Sequence, residues 1–205
     1  ADLGIGNPGF DPRAAWRLLA ERYHLFCGTP SRMWLDWVFA EVFGMEVRLE
    51  AETSDLYYDT ITHMLASEAF RPRALFERYN IELIATTESP LDSLEHHAAI
   101  RESGWQGKVI TAYRPDPVVD PEFEGFRANL DTFSALTGQD CLTWTGYLAA
   151  HRTRRAFFKS MGATSTDHGH PTAATANLSP SEAEALFHRV VSGNFHASDA
   201  ELFRA

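Results

Sequence analysis

Two cysteines in 205 residues, Cys27 and Cys141, are too few and too widely spaced for a disulfide framework or a zinc knuckle, and two reduced thiols are the expected state. No apolar run approaches the roughly 20 residues that a membrane span needs. No basic stretch followed by an apolar one marks a secretory leader, so the cytoplasm is the expected location. Positive charge is also scarce: 18 Lys and Arg stand against 28 Asp and Glu, for a formal net charge of −10. A chain this acidic has no basic face to offer nucleic acid or an anionic membrane, and neither is expected as a partner. A small anionic ligand is compatible with it, because one placed arginine overrides the mean field locally. There is no internal repeat and no initiator Met. The first nine residues read as a Gly/Asn/Pro-rich connector, and a helix opening at Ser198 is cut off after one turn. The chain therefore reads as a piece clipped at both ends.

What is present suffices for a sizeable core, at 44% hydrophobic and 12% aromatic residues. Residues 1–80 read as a helical region. Asp11-Pro12 is an N-cap followed by proline at the first helical position. Ser31 is the expected cap of a second helix that stops at Gly44. A third spans 54–67 with Leu56, Ile61, Met64 and Leu65 as its apolar stripe, and Pro72 opens a short fourth. The aromatics here, among them Trp16, Tyr23, Trp34, Trp37, Phe39 and Tyr57, read as helix-packing core.

From residue 81 the period changes. Strands are expected over 81–87, 108–113 and, weakly, 163–166, separated by helices over 92–103, 122–136 and 143–160, with a further helix from 180 to 191. Strands alternating with helices of that length imply parallel strands joined by crossovers. Each strand ends in polar residues: Thr86-Thr87-Glu88, Tyr113-Arg114-Pro115-Asp116 and Thr166-Asp167-His168. In such folds the loops after the strands converge, so these ends are expected to share one rim.

Arg114, directly after a strand and held between Tyr113 and Pro115, presents a rigid fork of donors suited to a carboxylate or phosphate. The alternative is a structural ion pair with Asp116 or Asp167. His168-Gly169-His170 has metal-ligand spacing on an extended segment, with Asp167 as a third ligand or an orienting partner. Hydrogen bonding or general acid/base work is the favoured role for these groups, since a short His-x-His with no distant third ligand is a weak metal motif. Of His96-His97, which diverge by about 100° on a helix, one is expected to face the sheet. Thr86-Thr87-Glu88 either donates to a polyol or caps the next helix.

On these residues the sequence resembles the uronate isomerase family, also called glucuronate isomerase, of the amidohydrolase superfamily. The matching stretches are Phe70-Arg71-Pro72-Arg73-Ala74-Leu75-Phe76, Ala85-Thr86-Thr87-Glu88-Ser89-Pro90 with Asp92-Ser93-Leu94-Glu95-His96-His97, Tyr113-Arg114-Pro115-Asp116, and Ser165-Thr166-Asp167-His168-Gly169-His170-Pro171. The resemblance implies an α/β fold, a partial (β/α)8 TIM-type barrel holding strands two to four over 81–205, with a mostly helical insertion over 1–80. It implies aldose–ketose interconversion of D-glucuronate with D-fructuronate, and of D-galacturonate with D-tagaturonate. Asp167 and His168 are then the expected catalytic residues, and Arg114, Thr87, Glu88 and His170 the expected substrate ligands. The family's metal-binding His-x-His and Asp fall before residue 1 and after residue 205. No metal is expected within this chain, although the parent family raises a divalent ion such as zinc. The implied partners are a small uronate, and either a second copy or the missing part of the barrel; the piece alone is expected to be inactive. A metal-dependent hydrolase on the same barrel and a non-catalytic barrel fragment are the rival readings.

Overall fold

The computed structural model describes residues 11–205; the connector read in the first nine residues lies outside them. The described chain divides into two compact units that part between Asn80 and Ile81.

The first unit is helical. Helix α1 (Pro12–Arg22) starts where Asp11 accepts hydrogen bonds from the N–H groups of Arg13 and Ala14, with Pro12 at the first helical position. Helix α2 (Pro30–Trp37) is capped by Thr29 rather than by the expected Ser31. Pro30 takes the first helical position, so the capping hydroxyl must lie one residue before it, where it accepts from Arg32 N–H at 3.2 Å. A single π-type turn over Val38–Val42 extends α2, and Gly44, at φ +66°, ends it. Helices α3 (Ser54–Leu65) and α4 (Pro72–Arg78) follow.

Tyr23, Phe39, Tyr57, Ala20 and Leu49 form the core of this unit, with Trp16, Phe26 and Ile61 against it. The expected aromatic core is therefore only partly right. Trp34 and Trp37 are 64% and 54% exposed. The expected α3 stripe is likewise only partly right: Ile61 packs inward beside Tyr57, while Leu56 and Leu65 are exposed.

The second unit is α/β, helix-rich with a small parallel sheet. Strands β1 (Ile84–Glu88) and β2 (Val109–Tyr113) pair in parallel, in register from Ile84 opposite Val109 to Glu88 opposite Tyr113. Helix α5 (Glu95–Glu102) connects them. It begins three residues later than expected, because Asp92 turns its carboxylate onto Leu94 N–H at 2.6 Å and Leu94 adopts φ +57°. That left-handed conformation is costly for a branched residue. Burial of the Leu94 side chain against Tyr113 and Phe158 offsets it.

The third expected strand is reduced to one parallel bridge, Tyr113 with Thr166. Tyr113 N–H donates to Ser165 O, and Asp167 N–H donates to Tyr113 O. Ala163-Thr164-Ser165-Thr166 has no large apolar side chain to bury and pairs on one side only, which is why it goes no further.

A short helix α6 (Asp116–Val119) lies within what reads in sequence as a proline-punctuated loop. Helix α7 (Phe126–Thr137) starts after Gly125 in the left-handed region, and α8 (Trp144–Ser160) starts where Thr143 accepts from Gly146 N–H. Helix α9 (Pro180–Val191) opens on a capping box formed by Ser179 and Glu182. Helix α10 (Ala197–Arg204) is capped by His196, with Asp199 returning to the cap; Ser198, the expected cap, lies inside it, and the helix runs two turns rather than one.

Val118, Leu130, Phe133, Cys141, Tyr147, Ala150 and Phe187 make the main core of this unit. Both cysteines are free thiols. No helix among the described residues is long and apolar enough to cross a membrane.

Candidate active site

The parallel register brings three chain segments to one sheet end. Glu88 O, closing β1, accepts from Arg114 N–H at 2.9 Å, and Tyr113 O, closing β2, accepts from Asp167 N–H at 3.0 Å. Arg114 and Asp167–His170 are thereby neighbours, although more than fifty residues separate them in sequence.

The Arg114 guanidinium lies between two carboxylates. Its Nε is 3.4 Å from Asp116 Oδ2, and its Nη2 is 3.6 Å from Asp167 Oδ2. Both are ion-pair distances; the first is not aligned as a hydrogen bond and the second is too long for one, and buried Nε has no hydrogen-bond partner among the described residues. The side chain is 43% exposed. The two readings of Arg114 from sequence thus meet in one geometry: the residue is ion-paired, yet its donors are not taken up by those pairs.

The carboxylates differ. Asp167 is half-exposed and accepts from the Thr87 hydroxyl at 3.0 Å. Asp116 is buried, and its Oδ1 accepts from Gly169 N–H at 2.7 Å. A Cβ at position 169 would come within 3.0 Å of that oxygen and 3.4 Å of Arg114 Nη2, so glycine permits the close approach. His170 Nε2 lies 4.0 Å from Asp116 Oδ1, and its ring meets that of His168 edge-on with centroids 5.1 Å apart. Burial first, and then His170, hold the His168 imidazole below its ordinary value, so it favours the neutral form.

Thr87, Arg114, Asp167, His168 and His170 therefore form one neighbourhood. The Glu88 side chain points elsewhere. It accepts from the hydroxyls of Thr86, at 2.9 Å, and of Thr111, with His97 Nε2 3.7 Å away. His97 Nε2 is also 2.8 Å from the Thr86 hydroxyl. Of the histidine pair, His97 is buried on this network and His96 is exposed. Asp116 and Gly169 are the members that sequence reasoning missed as site residues. A carboxylate two residues after an arginine was a signal, but its tie to Gly169 spans 53 residues and has no local mark.

A cavity of about 310 Å³ opens beside His168 and His170, walled by Trp144, Tyr147, Leu186 and Phe203. Arg114, Asp116 and Asp167 are not among its lining residues, so the polar cluster lies at its margin. Among the described residues there is no group of three or more His, Cys, Asp or Glu side chains arranged to hold a metal ion. His168, His170 and Asp167, whose spacing raised a metal site in the sequence, are therefore not such a group.

Comparison with known proteins bears on this geometry. The family model described as glucuronate isomerase matches residues 9–205. A uronate isomerase of Sphingopyxis alaskensis is 71% identical, over 99% of this chain and 44% of its own length. One of Rhizorhabdus wittichii is 67% identical, over 99% of this chain and 43% of its own length. The crystal structure of glucuronate isomerase from Caulobacter crescentus superposes with a TM-score of 0.91 at 58% identity, covering 98% of this chain and 42% of that one. That of a uronate isomerase from Thermotoga maritima gives 0.85 at 23% identity, covering 96% and 44%, a likeness of fold alone. The chain thus spans less than half the length of these relatives, and with its family model matched from residue 9 to its last residue it belongs to the glucuronate isomerase family.

Proposed function

We propose that this chain forms the substrate-cradling wall of a uronate isomerase, which interconverts D-glucuronate with D-fructuronate and D-galacturonate with D-tagaturonate. The observation that carries the reading, beside family membership, is Arg114: a strand-end guanidinium with donors free of hydrogen bonds, beside a histidine held neutral. The strands β1 and β2 and the bridged segment at Thr166 are read as strands two to four of a (β/α)8 barrel, with the remaining strands supplied by the rest of a longer polypeptide. Residues 1–80 are read as a helical insertion and residues 81–205 as the barrel part.

The chemistry asks for a permanent anion to be held while a proton moves between adjacent carbons. Arg114 suits the sugar carboxylate, which would take the place of the half-exposed Asp167 at Nη2. Thr87 and His170 are within reach of hydroxyls on the same ligand. In the aldose-to-ketose direction a base takes the proton on C2 and the electron pair moves onto the C1 carbonyl oxygen. Protonation of that oxygen gives the enediol, which loses its O2 proton as C1 gains one; the protons lost from C2 and O2 balance those gained by O1 and C1. His168, neutral and flanked by Asp167, is the group of this chain suited to carry that proton. Glu88, turned toward Thr86, Thr111 and His97, acts by holding β1 to β2 rather than by touching sugar.

Coupled detection of ketose formation tests the reading on the full-length protein and on the 205-residue chain side by side. Turnover of uronates by the longer polypeptide alone is expected. Turnover of neutral hexoses in preference to uronates would sink it.

A further inference from the structure

Three buried polar atoms at this sheet end lack a hydrogen-bond partner among the described residues, and all belong to one cluster: Arg114 Nε, Asp116 Oδ2 and His170 Nε2. Buried polar groups are nearly always paired, and an orphan cluster calls for an explanation. All three meet at Asp116. Nε of Arg114 approaches one carboxylate oxygen at 3.4 Å, and Nε2 of His170 approaches the other at 4.0 Å. The one hydrogen bond that the carboxylate makes among the described residues, from Gly169 N–H at 2.7 Å, fastens the turn that carries Asp167, His168 and His170.

We propose that Asp116 is a positioning residue. It holds the inner edge of the Arg114 guanidinium and the 167–170 turn as one unit, so that a uronate carboxylate meets a fork already oriented; this rests on the reading of the preceding subsection. The two carboxylates beside Arg114 divide the work by burial. Asp167 is half-exposed, and its hold on Nη2 is exchangeable. Asp116 has a side chain only 10% exposed, and its charge has Arg114 as its nearest cation, so it stays when ligand enters. A shift of a few tenths of an ångström turns the 3.4 Å contact into a charge-assisted hydrogen bond. The ligand thus meets a guanidinium already held at ion-pair distance from Asp116, and removing Asp116 acts through Arg114 rather than on the sugar.

The test is made on the full-length protein. D116N keeps an oxygen for Gly169 N–H and loses the charge that faces Arg114. KM for D-glucuronate is expected to rise about tenfold, with kcat within about threefold and the melting temperature within a few degrees of wild type. G169A, whose Cβ would press on Asp116 Oδ1, is expected to give the same KM signature by displacing the carboxylate, and it stands in should D116N fold poorly. In a double-mutant cycle, R114M/D116N is expected to be no worse than R114M, because the two losses are one. Additive losses, or an unchanged KM in both D116N and G169A, overturn the assignment. A readout independent of turnover is the Arg114 Nε–H resonance, expected to exchange slowly with water in wild type and rapidly in D116N; equal rates also overturn it. Wild-type protein without uronate turnover but with this resonance behaviour would retire the functional reading and leave the positioning role standing.

Discussion

At the scale of single residues, Arg114 and His168 carry opposite consequences. Replacing Arg114 by Met in the full-length protein removes the charge-assisted contact to the substrate carboxylate, a loss of about 1.5–3 kcal/mol. Steady-state kinetics should register this as a KM for D-glucuronate higher by about 10- to 100-fold. Replacing His168 by Gln should leave KM nearly unchanged and lower kcat by about 10²- to 10⁴-fold, the range of general acid–base catalysis. The pH profile adds a sign. If His168 accepts the proton, the active form is the neutral imidazole, and turnover falls as pH drops through its pKa. Burial and His170 hold that pKa below the ordinary value. The acid limb of kcat/KM should therefore lie below about pH 6.5, and an acid limb well above it would exclude His168 as the base.

At the scale of elements, α8 is the strut of the second unit. His151 and Arg154 lie one turn apart on it, both buried. Arg154 donates through Nε to Pro90 O at 2.8 Å and through Nη2 to Asp92 O at 2.7 Å, which fixes the loop between β1 and α5. His151 Nδ1 lies 2.9 Å from the Tyr113 hydroxyl at the end of β2, with the rings of Phe133 and Tyr147 around it. R154A leaves two loop carbonyls without donors and should destabilise the chain by about 3 kcal/mol, read from the urea midpoint.

His151 gives α8 a pH dependence of its own. Its burial, with Arg155 adding to the effect, takes its pKa down to about 4. The unfolded imidazole binds its proton near pH 6.5. Between those values the unfolded chain holds the extra proton, so this contribution to stability is full above about pH 6.5 and is lost as pH falls toward 4, by about 3 kcal/mol in all. H151Q keeps a hydrogen-bonding group for Tyr113 and removes the titration. Urea midpoints at pH 7 and pH 5 should fall less in H151Q than in wild type, and an equal fall would exclude His151 as the source.

Elements were legible in the sequence where a local signal fixes them. Asp11-Pro12 and Ser179-Pro180 each put a capping oxygen before a first-turn proline, and both helices start there. Thr29-Pro30 carries the same signal, and Ser31 was the wrong reading of it. The parallel pairing of β1 and β2 followed from their spacing alone. The start of α5 did not, because Leu94 in the left-handed region is tolerated only through burial against Tyr113 and Phe158, which no local pattern records. The strand ends that carry Arg114 and Asp167 were readable from strand polarity. Which way each side chain turns was not: Thr87 and Glu88 are adjacent, yet one meets Asp167 and the other turns to Thr111 and His97, a consequence of the two-residue period of a strand.

At the scale of the whole molecule, the sheet sets the last expectation. Two parallel strands and one bridge are fewer than an independent sheet ordinarily needs, and parallel strands are ordinarily covered on both faces. Here Leu83, Ile84 and Ala85 are exposed on β1 and its approach. Thr164, Ser165 and Thr166 flank an open cleft of about 700 Å³ lined also by Arg155, Phe158 and Lys159. In the first unit, Met33, Trp34 and Trp37 add apolar surface that is at least half exposed. Uncovered apolar faces and unpaired strand edges promote association. The 205-residue chain on its own should therefore elute from size exclusion at a volume that depends on its concentration, and should bind a hydrophobic dye such as ANS. The full-length polypeptide, with more chain available to cover these faces, should bind the dye weakly. A dilution-independent monomer that ignores the dye and unfolds in one sharp transition would mean that the faces are stable in water as they stand, and the proposal that further barrel strands complete this sheet would lose its physical basis.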